Sequence, residues 1–374
     1  MNNFENKTEQ LKNPVCIKVM GVGGAGGNAV NSMIESNEFV GNVEFIAANT
    51  DTQALEHSEA CAKIQLGQKI TRGLGAGSDP EVGRRAAEED IEQIRATLSG
   101  VDIIFLTAGL GGGTGTGALP VIAKIAKEMG VLSVAVVTKP FKFEGRKRAI
   151  HAQQALETLK GCADTMIVVP NEKLLEIFEA KISMLEAFKK SNEVLKQAVK
   201  GVSDIIQKTG LVNVDFADVR AIMKDMGLAI MGTGRATGPE RAKNAALEAI
   251  NSPLLENLNI QGAKGILFNI TGNADIGLHE INEAAEVVYK LVSHDANIIL
   301  GSVIDPSIND EIIITVIATG LDQNLCQKVF KTEQELEAAF KPTIKNFPNT
   351  EEVETPKESS VRNNNFGFFT FRKN

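Results

Sequence analysis

Residues 101–117 read VDIIFLTAGLGGGTGTG. The first eight are a largely apolar run, rich in the β-branched and aromatic residues of a buried strand, and the next nine hold six glycines. A turn needs one or two glycines. Six in nine residues carry a large backbone-entropy cost and point to backbone brought close to a ligand, the alternative being a tight strand–helix turn. The arrangement has a precedent upstream, where VCIKVM (15–20) runs into GVGGAGG (21–27) and then a helix from about Asn28. A weaker run, GLGAG (73–77), follows AKIQL (62–66). Twenty of the 34 glycines fall within residues 1–150, concentrated in these three runs.

Outward from these loops, VEFIAAN (43–49), AKIQL, VLSVAVVT (131–138) and DTMIVVP (164–170) read as further strands. Helices are predicted over 79–98, over 117–129 and from about Gly145. Apolar strands alternating with helices specify an α/β domain, a Rossmann-like parallel sheet covered on both faces that binds ligands at the carboxyl ends of its strands. A long helix is predicted over 184–209, with an apolar stripe of Leu185, Phe188, Leu195, Val199, Val202 and Ile206 and a stop at Gly210. Beyond it GLAIMGTG (227–234), GILFNITG (265–272), ANIILGSVI (296–304) and EIIITVIATG (311–320) read as strands. With helices at about 239–251 and 279–292 they form a second, smaller α/β domain with a mixed sheet.

The expected organisation is an N-terminal tail (1–14), a first domain (15–183), a central helix (184–210), a second domain (211–322), and a linker with a flexible C-terminal tail (323–374). The tail is polar from about Lys341 and ends NNNFGFFTFRKN. Phe366, Phe368, Phe369 and Phe371 beside Arg372 and Lys373 suit a short docking peptide on a tether, or are chance aromatics of a disordered end.

Composition excludes several classes. With a net charge of −8, no Trp and Tyr289 as its one tyrosine, the chain lacks the basic field and stacking surface of a nucleic-acid binder. Its longest strongly apolar stretch, Val131–Val137, is far short of a membrane span, so no direct membrane insertion is expected. The polar start MNNFENKTEQLKN has no apolar signal core, which argues against secretion. The four cysteines form no CxxC and the four histidines no HExxH, so no protein-liganded metal is expected.

Residues 21–26 (GVGGAG) fit GxGxxG, a loop that sets a pyrophosphate on backbone N–H groups and a helix start. Asp51 loosely matches the acidic residue that a dinucleotide site also needs, which keeps an NAD-dependent oxidoreductase in play on this motif alone. A second glycine loop shifts the balance toward a nucleoside triphosphate, whose phosphates would take amides from both loops and the hydroxyls of Thr114 and Thr116. No Gly-Lys dipeptide occurs, so the loops are not a P-loop and rely on amides and helix dipoles. In NVDFADVR (213–220), Asp215 and Asp218 put two carboxylates on a helix start. On residues alone they read first as an N-cap and a first-turn acid, with a catalytic pair as the other reading.

Taken together, IKVMGVGGAGGNAVN, GLGAGSDPEVGRRAAEED, GLGGGTGTGALP, VTKPFKFEGRKR, PNEKLL, NVDFADVR and the GTG segment near 232–234 resemble the tubulin/FtsZ superfamily of GTPases, and within it the bacterial cell-division branch, over about residues 15–320. The resemblance implies GTP and GDP as ligands, with Mg2+ held mainly by phosphates and water. It assigns Gly23, Gly24, Ala25, Gly26, Gly27 and Asn28, with Gly113, Thr114 and Gly115, to the phosphates. It assigns Glu144 and Arg148 to ribose and phosphate, Asn171 and Asn192 to sugar or base, and Phe188 to guanine. On residues alone, Glu144 and Arg148 are also an exposed helix-start pair and Phe188 also a core residue.

The resemblance further implies that Asn213, Asp215 and Asp218 of one subunit enter the nucleotide site of the next and position the attacking water. The implied assembly is a cytoplasmic head-to-tail homopolymer, gathered at midcell beneath the inner membrane and tied through the tail to a membrane-anchor division protein. A tubulin-like filament GTPase without a division role is the other member of this class. The sequence departs from the pattern at Lys189, Lys190 and Ser191, where small residues are usual, at Glu193, where Asp is commoner, and in the tail, which lacks Asp-Ile-Pro before its aromatics.

Overall fold

The apolar runs of the first half pair as parallel strands: β1 (Ile17–Val22), β2 (Val43–Asn49), β3 (Ala62–Gln65), β4 (Ile103–Gly109), β5 (Leu132–Lys139) and β6 (Thr165–Pro170). The second half adds β7 (Gly227–Thr237), β8 (Gly265–Gly272), β9 (Asn297–Ile304) and β10 (Glu311–Thr319). In the computed structural model, residues 14–39, 41–175, 182–208, 212, 214–252, 254–255 and 260–321 are described. Residues 1–13 of the N-terminal tail, the helix stop at Gly210, Asn213 and the aromatic C-terminal peptide lie outside the described residues.

The strands form one sheet in the order β3-β2-β1-β4-β5-β6-β7-β10-β8-β9. From β3 to β6 this is the order of a doubly wound nucleotide-binding sheet, whose direction of winding reverses between β1 and β4. In the second half β10 is antiparallel to both β7 and β8, and β8 is parallel to β9, as the mixed-sheet reading requires. Three parallel pairs, from Thr165 opposite Gly227 to Ile167 opposite Ala229, join the halves into a continuous sheet.

Helices cover both faces. They are α1 (Gly23–Glu35), α2 (Thr52–Glu56), α3 (Gln68–Thr71), α4 (Pro80–Glu89), α5 (Ile91–Leu98), α6 (Thr114–Glu128), α7 (Arg146–Cys162), α8 (Asn171–Leu174), α9 (Met184–Gln207), α10 (Phe216–Met223), α11 (Arg241–Ile250) and α12 (Leu278–Tyr289). Alternation along the strands sorts the core into two layers. Met20, Val22, Ile104 and Leu106 pack with Leu119 and Ile122 of α6 and Leu156 of α7. Ile17, Val19, Ile103 and Phe105 pack with Val30 and Met33 of α1 and with Leu195, Val199 and Val202 of α9.

Two expectations need correction. The helix predicted over 79–98 is two, because Asp90 leaves helical geometry (φ −112°, ψ 29°) and its carboxylate accepts the Gly67 N–H at 2.6 Å. Leu185 is not part of the buried stripe of α9. It is 66% exposed, on the first turn of the helix beside the equally exposed Met184.

Candidate functional site

Helices α1 and α6 start on either side of the switch point, directly after β1 and β4. Their N-cap residues, Val22 and Gly113, make no side-chain cap hydrogen bond, and neither first turn carries an acid. Four helices are capped by side chains, α2 by Asp51, α4 by Asp79, α9 by Ser183 and α10 by Asp215, and several others, such as α7 and α11, are uncapped like α1 and α6; what sets these two apart is that both open beside glycine loops at the switch point. The two starts leave unpaired N–H groups and two positive dipole ends converging on one place, which suits a polyanion.

That place is a pocket of about 240 Å³ at the carboxyl ends of β1, β4, β5 and β6. It brings together Gly23, Gly24, Ala25, Gly113, Thr114, Gly115, Glu144, Arg148, Asn171, Phe188 and Asn192 from among the residues singled out in the sequence. Gly26, Gly27 and Asn28 are not in its lining. Gly26 is buried, and a Cβ there would run into the Thr107 carbonyl oxygen, so its glycine serves the packing of α1 on the sheet. Gly24 and Gly112 differ: both line the pocket, and a Cβ on either would meet nothing within 4 Å. Their missing side chains leave space for something that is not protein.

The threonines divide in the same way. Thr114 lines the pocket with its hydroxyl 2.6 Å from that of Thr50, whereas Thr116 is buried and its Oγ1 accepts the Gly111 N–H at 2.9 Å. Thr116 therefore holds the loop instead of facing a phosphate. The GLGAG run stands behind Gly113, where Ala76 and Asp79 would be met by a Cβ.

Glu144 is held by both oxygens. Oε1 accepts the Phe141 N–H at 2.9 Å, and Oε2 accepts from Arg148 Nη1 at 2.6 Å. This pair brings a guanidinium to the rim of the phosphate end. At the other end Phe188 is half-buried and meets Phe141 edge-on at 5.5 Å, so one ring edge is packed while the residue lines the pocket. Asn171 is buried and accepts the Ser191 hydroxyl on Oδ1 at 2.8 Å. Thr138, Pro140, Ser191 and Leu195 also line the pocket without having been assigned to a ligand. Spacing held a signal for two of them: Phe188, Ser191, Asn192 and Leu195 recur at three and four along α9 and share a face.

Asp215 and Asp218 are elsewhere. Both are exposed and form a capping box, with the Asp218 N–H on Asp215 Oδ1 at 2.9 Å and the Asp215 N–H on Asp218 Oδ2 at 3.4 Å. Asp215 lines a recess with Pro14 and Val15, which precede β1, and Asn42, which precedes β2. Arg220 of the same helix donates to the carbonyl of Gly130, just before β5, at 3.1 Å. The pair thus sits at the amino ends of the parallel strands, across the sheet from the pocket. Asp51 is an N-cap, its Oδ1 accepting the N–H groups of Gln53 and Ala54 at 2.9 and 3.3 Å, so the oxidoreductase reading loses its acid.

A larger cleft of about 790 Å³ lies between α9 and the edge of the second half, lined by Lys200, Asp204, Lys208, Asp305 and others. It contains neither glycine loop, and the phosphate chemistry is not there.

The sequence model described as the Tubulin/FtsZ family, GTPase domain, matches residues 16–179, and that of the FtsZ family, C-terminal domain, matches 227–322. Among solved structures, the empty FtsZ dimer of M. jannaschii is 44% identical over 82% of this chain and 89% of that one, with a TM-score of 0.78. The chain belongs to the FtsZ family. A point mutant of FtsZ from the same organism gives 44% identity and a TM-score of 0.78, covering 82% of this chain and 92% of that one. CetZ2 from Haloferax volcanii, solved as a GTPγS-bound protofilament, is 23% identical with a TM-score of 0.74 over 87% and 99% of the two chains, a likeness of fold. As an FtsZ-family protein with the GTPase domain, the chain binds guanine nucleotide and hydrolyses GTP, and the oxidoreductase reading is set aside. Among the described residues no helix is long and apolar enough to cross a membrane.

Proposed function

We propose that this GTPase assembles head to tail and hydrolyses GTP only at the junction between subunits. One observation carries the reading: the phosphate-type pocket and the carboxylate pair occupy opposite ends of the same parallel strands. At roughly 3.3 Å per residue, the eight residues of β5 alone span about 26 Å, far beyond the reach of an aspartate side chain. A second copy stacked on the first would bring its Asp215 and Asp218 to the first copy's pocket. Such a contact joins two different surfaces and does not close on itself, so it propagates into a filament.

In this reading the uncapped amides of α1 and α6, with Arg148, bind the phosphates of Mg·GTP. Phe188 stacks on guanine, and Glu144, Asn171 and Asn192 fix the nucleoside. The pocket contributes one carboxylate, Glu144, which is already paired, so the magnesium enters as part of the substrate. The partner's carboxylate pair orients and polarises water for attack, with Asn213 shaping that loop. Residues 15–183 then serve as the GTP-binding domain, 184–210 as the connecting helix and 211–322 as the part that activates the neighbour. The filament would form the division ring at midcell beneath the inner membrane, held through the 323–374 tail by a membrane-anchor division protein. The M. jannaschii FtsZ dimer, from a 44% identical relative, supports self-association.

The test is GTPase rate against protein concentration, with light scattering read in parallel. The rate per subunit should be negligible below a threshold and rise with scattering above it. A constant rate per subunit in dilute monomer refutes the shared site.

A further inference from the structure

We propose that Ser191 is a positioning residue for nucleotide recognition: its hydroxyl holds the Asn171 carboxamide with the amide nitrogen toward the ligand. The proposal rests on the pocket being the guanine-nucleotide site. Ser191 and Asn171 are each 3% exposed, both line the pocket, and Ser191 Oγ donates to Asn171 Oδ1 at 2.8 Å. Asn171 opens α8 directly after β6, and Ser191 lies on α9, so the bond ties the long helix to the carboxyl edge of the sheet.

A carboxamide offers an accepting oxygen and a nitrogen with two donor hydrogens. With Oδ1 taken by Ser191, Nδ2 is left as the group that can act on a ligand. Among the described residues Nδ2 has no partner, yet it is not one of the sealed, unpaired polar atoms of the interior. Its open side is therefore the pocket, and it can donate to an acceptor atom on the ribose or base.

The placement of Ser191 fits this role. A serine within a helix usually faces solvent or bonds back to a carbonyl in the preceding turn. Here it is buried and bonded across to another element. Its neighbours Lys189 and Lys190 are exposed, whereas Ser191 shares the pocket-facing side of α9 with Phe188, Asn192 and Leu195.

The experiment measures GDP dissociation constants by calorimetry, below the assembly threshold, for the wild-type chain, Ser191→Ala, Asn171→Ala, Asn171→Asp and the Ser191→Ala/Asn171→Ala double variant. Loss of one neutral hydrogen bond predicts about fivefold weaker binding for Ser191→Ala, and losing the donor outright predicts about tenfold or more for both Asn171 variants. The double variant should match Asn171→Ala alone, because Ser191 acts only through Asn171. For Ser191→Ala, the GTPase rate per subunit at saturating GTP should be unchanged while the GTP concentration for half-maximal rate rises.

Unchanged GDP affinity in Ser191→Ala, multiplied losses in the double variant, or wild-type affinity in Asn171→Asp would each overturn the proposal. Should Ser191→Ala not fold, as judged by melting without nucleotide, Ser191→Cys replaces it as a near-isosteric weak donor with the same expected direction. Failure of the wild-type chain to bind GDP overturns the pocket reading and this proposal together. Wild-type binding with Ser191→Ala unaffected overturns the role of Ser191 alone.

Discussion

Two inactive variants of this chain should restore each other. The first is Gly24→Asp. A Cβ at Gly24 would meet no protein atom within 4 Å, so the fold should tolerate the change, but a carboxylate then sits in the phosphate pocket. At about 4 Å and an effective dielectric near 20, one unit of like charge costs roughly 4 kcal/mol, or about three orders of magnitude in nucleotide affinity. The second is Asp218→Ala, which leaves the pocket intact and removes a carboxylate at the other end of the strands. Neither should hydrolyse GTP alone. Mixed in equal amounts, a junction is competent only when an Asp218→Ala subunit supplies the pocket and a Gly24→Asp subunit supplies the carboxylates. Random co-assembly makes that one junction in four, so the ceiling is about one quarter of the wild-type rate per subunit. Filaments that stop at a Gly24→Asp end will fall below it. The assay is phosphate release at fixed total protein across mixing ratios, with a maximum expected near equal amounts. A mixture no faster than the sum of its components would refute action between subunits, and wild-type turnover by Gly24→Asp alone would refute the pocket.

Other consequences test the fold and its charges. Gly26→Ala should lower stability by about 1–3 kcal/mol on thermal melting, because its Cβ runs into the Thr107 carbonyl and α1 must move off the sheet. On α9, Leu185→Ser should change stability by less than about 0.5 kcal/mol, while Val199→Ala, fully buried, should cost about 1–3 kcal/mol; equal effects would contradict the observed placement of the helix. The Arg241 guanidinium holds the half-buried Glu280 carboxyl below its ordinary range, helped by the Gly277 N–H and against the effect of burial. A carboxyl with a depressed folded pKa contributes stability that is complete above its unfolded value and is lost as pH falls toward the folded one. Glu280→Gln should therefore be less stable than wild type at pH 7 and lose stability less steeply below about pH 4.5; parallel acid curves would remove this ion pair from the acid response.

Much of the first half was legible because its signals are local. Each strand from VCIKVM to DTMIVVP is a short apolar run closed by a turn, and a parallel sheet buried on both faces leaves no polar face to blur it. The join between β6 and β7 was not legible, since it brings Thr165 beside Gly227 and no periodicity reports a lateral neighbour. The break at Asp90 was hidden for a similar reason: its carboxylate answers the N–H of Gly67, well upstream in the chain. Within the site, the loops were legible as glycine runs, but the division of labour inside them was not. Thr114 and Thr116 look equivalent in sequence, and only the fold places one in the pocket lining, its hydroxyl against that of Thr50, and sets the other on Gly111. Asp215 and Asp218 read both as a cap and as a catalytic pair, and the capping box shows that the first role is filled within the subunit.

That double role bears on how the carboxylates would act. A pair that caps its own helix is fixed in place before any partner arrives, with the Asp218 N–H on Asp215 and the Asp215 N–H on Asp218. Each carboxylate spends one oxygen on the helix start and, among the described residues, keeps the other free, and both residues are exposed. The pocket is likewise assembled in the lone subunit, with Arg148 already on Glu144 and Asn171 already on Ser191. If both halves are preformed, docking need supply only proximity, and the threshold for hydrolysis measures subunit association instead of a folding step. The sheet enforces this division. Every loop at the carboxyl ends of β1, β4, β5 and β6 lies on the nucleotide side, and α10 is tied to the opposite edge through Arg220 and Gly130. No rotamer change within one subunit spans that distance, so in the proposed shared site a monomer would hold nucleotide without consuming it, and hydrolysis would be tied to the contact that brings the second subunit.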